Sequence, residues 1–152
     1  MESTLEVLLG LYREERDQGR QSEDQRAGLT NLVLIISGAL FAFVANLKFQ
    51  LAAALPAMFI VIIGLYGCFG SLKLYERFQL HQERASAIRR RIDALVPDAT
   101  VEQLRRDAAA KHRGEYGFLY KIHLNWVWIA LNLLIALSGL VVLYIVFLQN
   151  HP

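Results

Sequence analysis

The chain of 152 residues predicts an all-α membrane protein with three transmembrane helices, a cytoplasmic helical hairpin between the second and third, and an N-terminal amphipathic helix. Three observations carry this reading. Hydrophobic residues make up 55% of the chain and charged ones 20%, too few to coat the core of a soluble protein of this size. The apolar residues are blocked rather than scattered, at 29–47, 51–72 and 124–148. Each block is long enough, at ~1.5 Å per residue, to cross a hydrocarbon layer of ~30 Å. The charged remainder gathers into segments that alternate with the blocks. Four pieces follow: a cytoplasmic arm (1–28), a pair of spans (29–72), a basic cytoplasmic hairpin (73–123), and a third span with a short outer tail (124–152).

The arm is acidic, unlike the short basic stretch that precedes the apolar core of a signal peptide. No cleavable leader is expected, and 29–47 would serve as an uncleaved signal anchor. The arm opens on Ser3-Thr4-Leu5-Glu6, a capping-box pattern that can start a helix. Leu5, Leu8, Leu9 and Tyr12 then share one helical face. Gly19 weakens the helix beyond them by ~1 kcal/mol relative to alanine. A short amphipathic helix with a soft exit is either a docking element, a movable plug, or a surface helix resting on the membrane.

Charge sets the orientation. Of sixteen Lys and Arg, four precede the first span, eleven lie between the second and third, Lys48 alone occupies the first loop, and the tail has none. The positive-inside rule places the N-terminus and the middle segment in the cytoplasm and the C-terminus outside. Seven acids face four bases in the arm and eleven in the middle segment, which invites the acidic arm to lie against the basic one.

Directly behind the second span, Leu74, Phe78, His81, Ala85, Ile88, Ile92 and Leu95 recur at alternating spacings of four and three, the seam of a coiled coil. The span is therefore expected to run on into the cytoplasm as one rod. Pro97 and Asp98 stop it, Thr100 with Gln103 offers a new capping box, and a second helix from Val101 to about Ile122 returns to the membrane. The arms match, at ~36 and ~33 Å. Arg77, Arg84 and Arg91 are seven apart beside the seam, and Arg89 and Arg90 widen the stripe near the tip. Salt bridges to Glu76, Glu83, Asp93, Glu102 and Asp107, or attraction to anionic lipid, would account for single arginines. The stripe as a whole suits successive phosphates of an anionic ligand, so Arg77, Arg84, Arg89, Arg90 and Arg91 are the candidate ligand-binding residues.

Inside the spans, Gly38 and Ala42 form a small-xxx-small pair, Gly64, Gly67 and Gly70 recur every third residue, and Asn125, Asn132 and Gly139 every seventh. Such stripes pack a partner helix or line a narrow aqueous path. In the second case Asn31, Asn125 and Asn132 are the pore-lining candidates. No Asp, Glu, Lys or Arg falls inside a block, which argues against ion-coupled transport. Tyr116, Phe118, Tyr120, Trp126 and Trp128 fit an interfacial belt, and Gly114 and Gly117 would let the hairpin tilt. Cys68, the single cysteine, excludes an intrachain disulfide and fits a packing role. No phosphate-binding loop, nucleophile elbow, metalloprotease helix or paired-cysteine site occurs, so neither enzyme activity nor a metal or cofactor is expected. Folding the hairpin would bring His81 toward Glu115 and His112 toward Arg84. His81 reads chiefly as a polar seam residue that sets register.

The paired spans running into "KLYERFQLHQERASAIRRRID" resemble the small membrane effectors of bacterial anti-phage systems. These include the SLATT-type proteins encoded beside nucleotide-making enzymes and, nearest in layout, the Hailong-system membrane effectors. The resemblance implies a multi-pass protein of the bacterial inner membrane and a homo-oligomeric channel, with a tetramer expected. It also implies a single-stranded oligodeoxyadenylate, made by a partner nucleotidyltransferase, as the ligand that holds the channel shut. Loss of that ligand would release the N-terminal helix, with Leu5, Leu8, Leu9 and Tyr12 as the trigger, and opening would stop growth. A membrane adaptor recruiting a cytoplasmic partner without conducting is the rival reading.

Overall fold

A computed structural model describes residues 2–96 and 101–150, and within them every regular element is helical. α1 runs over Glu2–Asn46, α2 over Ala54–Leu95, α3 over Val101–Glu115, α4 over Gly117–Lys121 and α5 over Leu124–Asn150, with a 3₁₀ turn at Leu51–Ala53 before α2. Three helices are long and apolar enough to cross a membrane: α1, α2 together with its 3₁₀ turn, and α5. The expected tip, Pro97-Asp98, and the expected cap at Thr100 lie outside the described residues.

The chain divides into two compact units, one of Asp24–Leu74 with Leu124–Pro152 and one of Met1–Glu23 with Tyr75–His123. The first is the apolar unit. Its core gathers Val33 and Val44 from α1, Ala53, Ala57 and Ile60 from the 3₁₀ turn and α2, and Ile135, Val142 and Val146 from α5. Along the 3₁₀ turn and α2, Ala53, Ala57, Ile60, Gly64, Gly67 and Ser71, and along α5, Asn132, Ile135, Gly139, Val142 and Val146 are buried at alternating spacings of four and three, with Pro56, Cys68 and Ala136 buried beside them. That is the period of left-handed, coiled-coil-like packing. Glycine lets two of these helices meet at the backbone: a Cβ on Gly64 would stand 2.5 Å from the Ala136 backbone nitrogen, and one on Gly139 2.9 Å from that of Val61. With lipid as apolar as the core, such close packing supplies attraction that water exclusion cannot.

The α1–α2 connection turns tightly. Lys48 and Phe49 adopt left-handed backbone conformations, φ 48° and 58°, at a cost of roughly 1–2 kcal/mol each. Phe49 packs against the core, and its carbonyl accepts a 3.1 Å hydrogen bond from Asn150 Nδ2 on α5, which holds the turn.

In the second unit the first half of α1 packs antiparallel on the last half of α2. Gly19 lies against Phe78 and His81, Glu15 against His81, and Arg16 reaches Gln82. The acidic arm does lie on the basic segment, as the charge asymmetry led us to expect. Two expectations differ from what is found. α1 is one helix through Gly19 rather than a short helix with a soft exit, because Gly19 is buried against Phe78 and His81 and this contact with α2 offsets its poor propensity. The seam of α2 is filled by α1 rather than by the returning helix. α3 has no buried residue, and only Val101 and Glu102, at its start, are even half-covered. α3 also ends at Glu115, with α4 as a separate short helix beyond it, so the expected single helix to Ile122 is broken at Tyr116.

Candidate functional site

The seam between α1 and α2 in the charged unit is polar where a simple coiled coil would be apolar. Glu15 Oε2 lies 2.6 Å from His81 Nδ1, with the two side chains only 20% and 12% exposed. Arg84 stands 3.9 Å from the other Glu15 oxygen, and Arg16 Nη1 donates to Gln82 Oε1 at 2.7 Å. One carboxylate of the arm thus engages two cationic or cationisable groups of α2. Hydrogen bonds to charged partners are directional as well as strong, so this cluster fixes the helix register in a way that leucines alone would not.

Beside the seam a cleft of about 570 Å³ opens, lined by Phe78, Gln79, Gln82, Glu83, Ser86, Arg90 and Arg105. Its size matches a small-molecule site. Arg90 and Arg105 supply charge for phosphate, Gln79, Gln82 and Ser86 supply neutral donors, and the Phe78 ring offers a stacking face. Glu83 opposes an anion there, so a ligand must approach from the arginine side.

The five expected arginines do not act as one surface. Arg77, Arg84, Arg90 and Arg91 are exposed, and of these Arg90 lines the cleft. Arg89 is turned toward α3, its Nε 3.6 Å from Glu102 Oε2 with the side chain 14% exposed. Glu102 also meets Arg106 at 3.4 Å and Arg105 at 4.0 Å. Asp93 accepts from the Val101 backbone nitrogen at 2.9 Å and so caps α3, while Gln103 donates to Asp107 at 3.0 Å. Salt bridging therefore accounts for Arg89 and Arg106, while Arg105, at the limit of contact with Glu102, keeps its side chain 59% exposed. The arm residues Leu5, Leu8 and Tyr12 are half-buried on the seam face of α1. Leu9 is 38% exposed and borders a second, smaller cleft with Tyr12, Arg89, Ile92 and Val101.

The three asparagines are separated in the apolar unit. Asn132 is fully buried, its Nδ2 donating to the Trp128 carbonyl at 2.9 Å and standing 3.4 Å from Ser71 Oγ, with Gly67 facing its Oδ1. Asn125 is half-buried, its Oδ1 3.5 Å from Arg26 Nη1. Asn31 points outward from α1. His81 meets Glu15 rather than Glu115, and His112 lies against the rings of Tyr116 and Tyr120, at centroid distances of 4.7 and 6.2 Å, rather than near Arg84. Among the described residues, no group of three or more His, Cys, Asp or Glu is placed to hold a metal ion.

Sequence reasoning missed Glu15, Gln79, Gln82, Ser86 and Arg105 as site residues, and Arg26 as a buried one. Arg26 is only 4% exposed, with its guanidinium 5.8 Å from the Trp128 ring centre. A signal for two of them was present. Continuing the three-and-four spacing of Leu5, Leu8 and Tyr12 passes through Glu15, Gly19, Ser22, Arg26, Thr30, Val33 and Ser37, and all of these are buried or half-buried. No protein-family model, curated protein or solved structure matches the chain.

Proposed function

We propose that this chain is the subunit of an oligomeric membrane channel whose pore forms between copies, with its cytoplasmic unit binding an anionic, phosphate-bearing ligand such as a nucleotide or single-stranded oligonucleotide. The observation that carries this reading is the outward face of α1. Asn31, Gly38, Ala42 and Ala45 all lie exposed there, at helical spacings of seven, four and three, with Ile35 on the same face. A lone chain would present this face, including the Asn31 amide, to hydrocarbon, where an unsatisfied polar group is costly. A second copy, or water between copies, removes that cost. Within one chain α2 and α5 meet at Gly64 and Ala136, which favours a path between copies over one inside a subunit.

The cleft with Arg90 and Arg105 supports a ligand of alternating charge and aromatic rings. The neighbouring Glu15–His81 contact supports a coupling route, since any ligand that alters the seam alters how α1 is held. The layout shared with anti-phage membrane effectors adds the consequence: an open channel would depolarise a bacterial inner membrane and arrest growth. Lipid and further copies of the chain are then its partners, and a nucleotidyltransferase the source of its ligand. The N-terminus and charged unit would face the cytoplasm and the C-terminus the outside, a placement the distribution of Lys and Arg supports.

Ion flux through purified protein in liposomes, with and without short oligodeoxyadenylate, tests the reading. Flux that the oligonucleotide changes is expected, with the response lost when Arg90 and Arg105 are both replaced by Gln. An Asn31→Leu variant should retain its fold and lose most of the conductance. A membrane that stays tight under every condition would transfer the case to the non-conducting adaptor.

A further inference from the structure

α4 is the most conspicuous surface of the charged unit that the proposed channel does not use. It is five residues long, set off by a bend at Tyr116 (φ −115°, ψ 24°) and by extended backbone at Ile122. None of its residues is buried, and Phe118 is 77% and Leu119 64% exposed, with Tyr116, Tyr120 and Ile122 each about half exposed. So much apolar and aromatic surface on one short segment is expensive in water, at roughly 25 cal/mol per Å². The last turn of α3 adds order and charge to it. His112 lies against Tyr116 and Tyr120, Arg113 stands 6.0 Å from the centre of the Tyr120 ring, and Lys121 closes α4.

We propose that residues 112–122 form an interfacial membrane element that lies among anionic lipid headgroups, with Phe118 and Leu119 entering the acyl boundary and Arg113 and Lys121 bound to lipid phosphates. Three features select lipid over a protein partner. The segment ends two residues before Leu124, where the membrane-spanning helix α5 begins, so the chain itself holds α4 within a few residues of the bilayer surface. Its exposed apolar area comes from large rings and branched chains, Tyr116, Phe118, Leu119, Tyr120 and Ile122, rather than from the intervening Gly114 and Gly117. The tyrosines bring the combination of apolar ring and polar tip that settles at the headgroup level, and long cationic side chains can lay their stems on that boundary with their charges at the phosphates. Charge complementarity favours anionic lipid: Arg113 and Lys121 outnumber Glu115, which Lys111 faces at 3.9 Å, and each cation near an anionic surface shifts the partition by about fivefold.

The test uses the full chain with Cys68→Ser and a single environment-sensitive fluorophore on Phe118→Cys or, as a reference, Glu83→Cys. Both proteins are reconstituted in vesicles of phosphatidylcholine with and without phosphatidylglycerol, using brominated acyl chains as quenchers. The label at 118 should be blue-shifted and quenched by the brominated chains, more so with phosphatidylglycerol, while the label at 83 stays in water. Replacing both Arg113 and Lys121 by Gln should remove the phosphatidylglycerol dependence. A label at 118 that reports water in both vesicles overturns the proposal. So does shielding that persists in detergent and falls on dilution of the protein, which would assign the surface to a second copy. A phosphatidylglycerol dependence that survives the double substitution overturns the role of the two cations. None of these readouts depends on whether the protein conducts.

Discussion

Gly64 and Gly38 are the same residue in comparably apolar segments, yet their surroundings are opposite. A Cβ at Gly64 would press on the backbone of Ala136, whereas at Gly38 it meets nothing within 4 Å. Gly64→Ala must therefore part α2 from α5, and a loss of about 1–3 kcal/mol is expected in unfolding from mixed micelles. Gly38→Ala should leave the stability of the single chain unchanged, and equal losses at the two sites would contradict the helix register described here. Both glycines were legible in the sequence as small residues suited to close helix contact. Which contact each one makes was not, because a small residue permits approach without naming the neighbour. Asn132 teaches the same point: its seven-residue repeat with Asn125 and Gly139 marks a helix face, and only the burial of that face against Gly67 and Ser71 separates a packing amide from a pore-lining one.

At the level of elements, the seam of α2 was readable because it is mostly apolar, whereas that of α1 fades after Tyr12. Glu15, Gly19, Ser22 and Arg26 keep the spacing but break the hydrophobic pattern on which such readings rest. Charge asymmetry placed the arm on the middle segment, but the register of α1 along the α2 seam went unseen, and α3 was expected there. A double-mutant cycle settles the pairing in solution. Glu15→Ala and His81→Ala should show a coupling of about 1–3 kcal/mol, as groups in one hydrogen-bonded network do. The cycle between Glu115→Ala and His81→Ala should show none. The reverse result would restore the folded-back hairpin. α3 itself, with no buried residue, is held by the Asp93 cap and by the Arg89–Glu102 pair at its start. It should accordingly exchange its backbone amides faster than the adjoining half of α2.

For the whole molecule, the uneven placement of Lys and Arg makes a topological statement that geometry alone does not. In a Cys68→Ser background, Gln50→Cys should react with a membrane-impermeant thiol reagent added outside intact cells. Arg77→Cys should react only after permeabilisation. Reaction of both from the same side would refute the assigned orientation. The sequence by itself determined the three apolar spans, the continuation of the second into the charged unit, and the charge asymmetry between arm and middle segment. These follow from length, composition and period, which are local properties of the chain. Only the tertiary structure decided that α1 is one continuous helix, that it fills the seam of α2, that Arg90 and Arg105 share a cleft while Arg89 is spent on Glu102, and that Asn132 faces inward and Asn31 outward. Each of these is a choice of partner between faces distant in the chain. Periodicity can mark a face for burial, but complementary shape, glycine clearance and paired charge select what buries it.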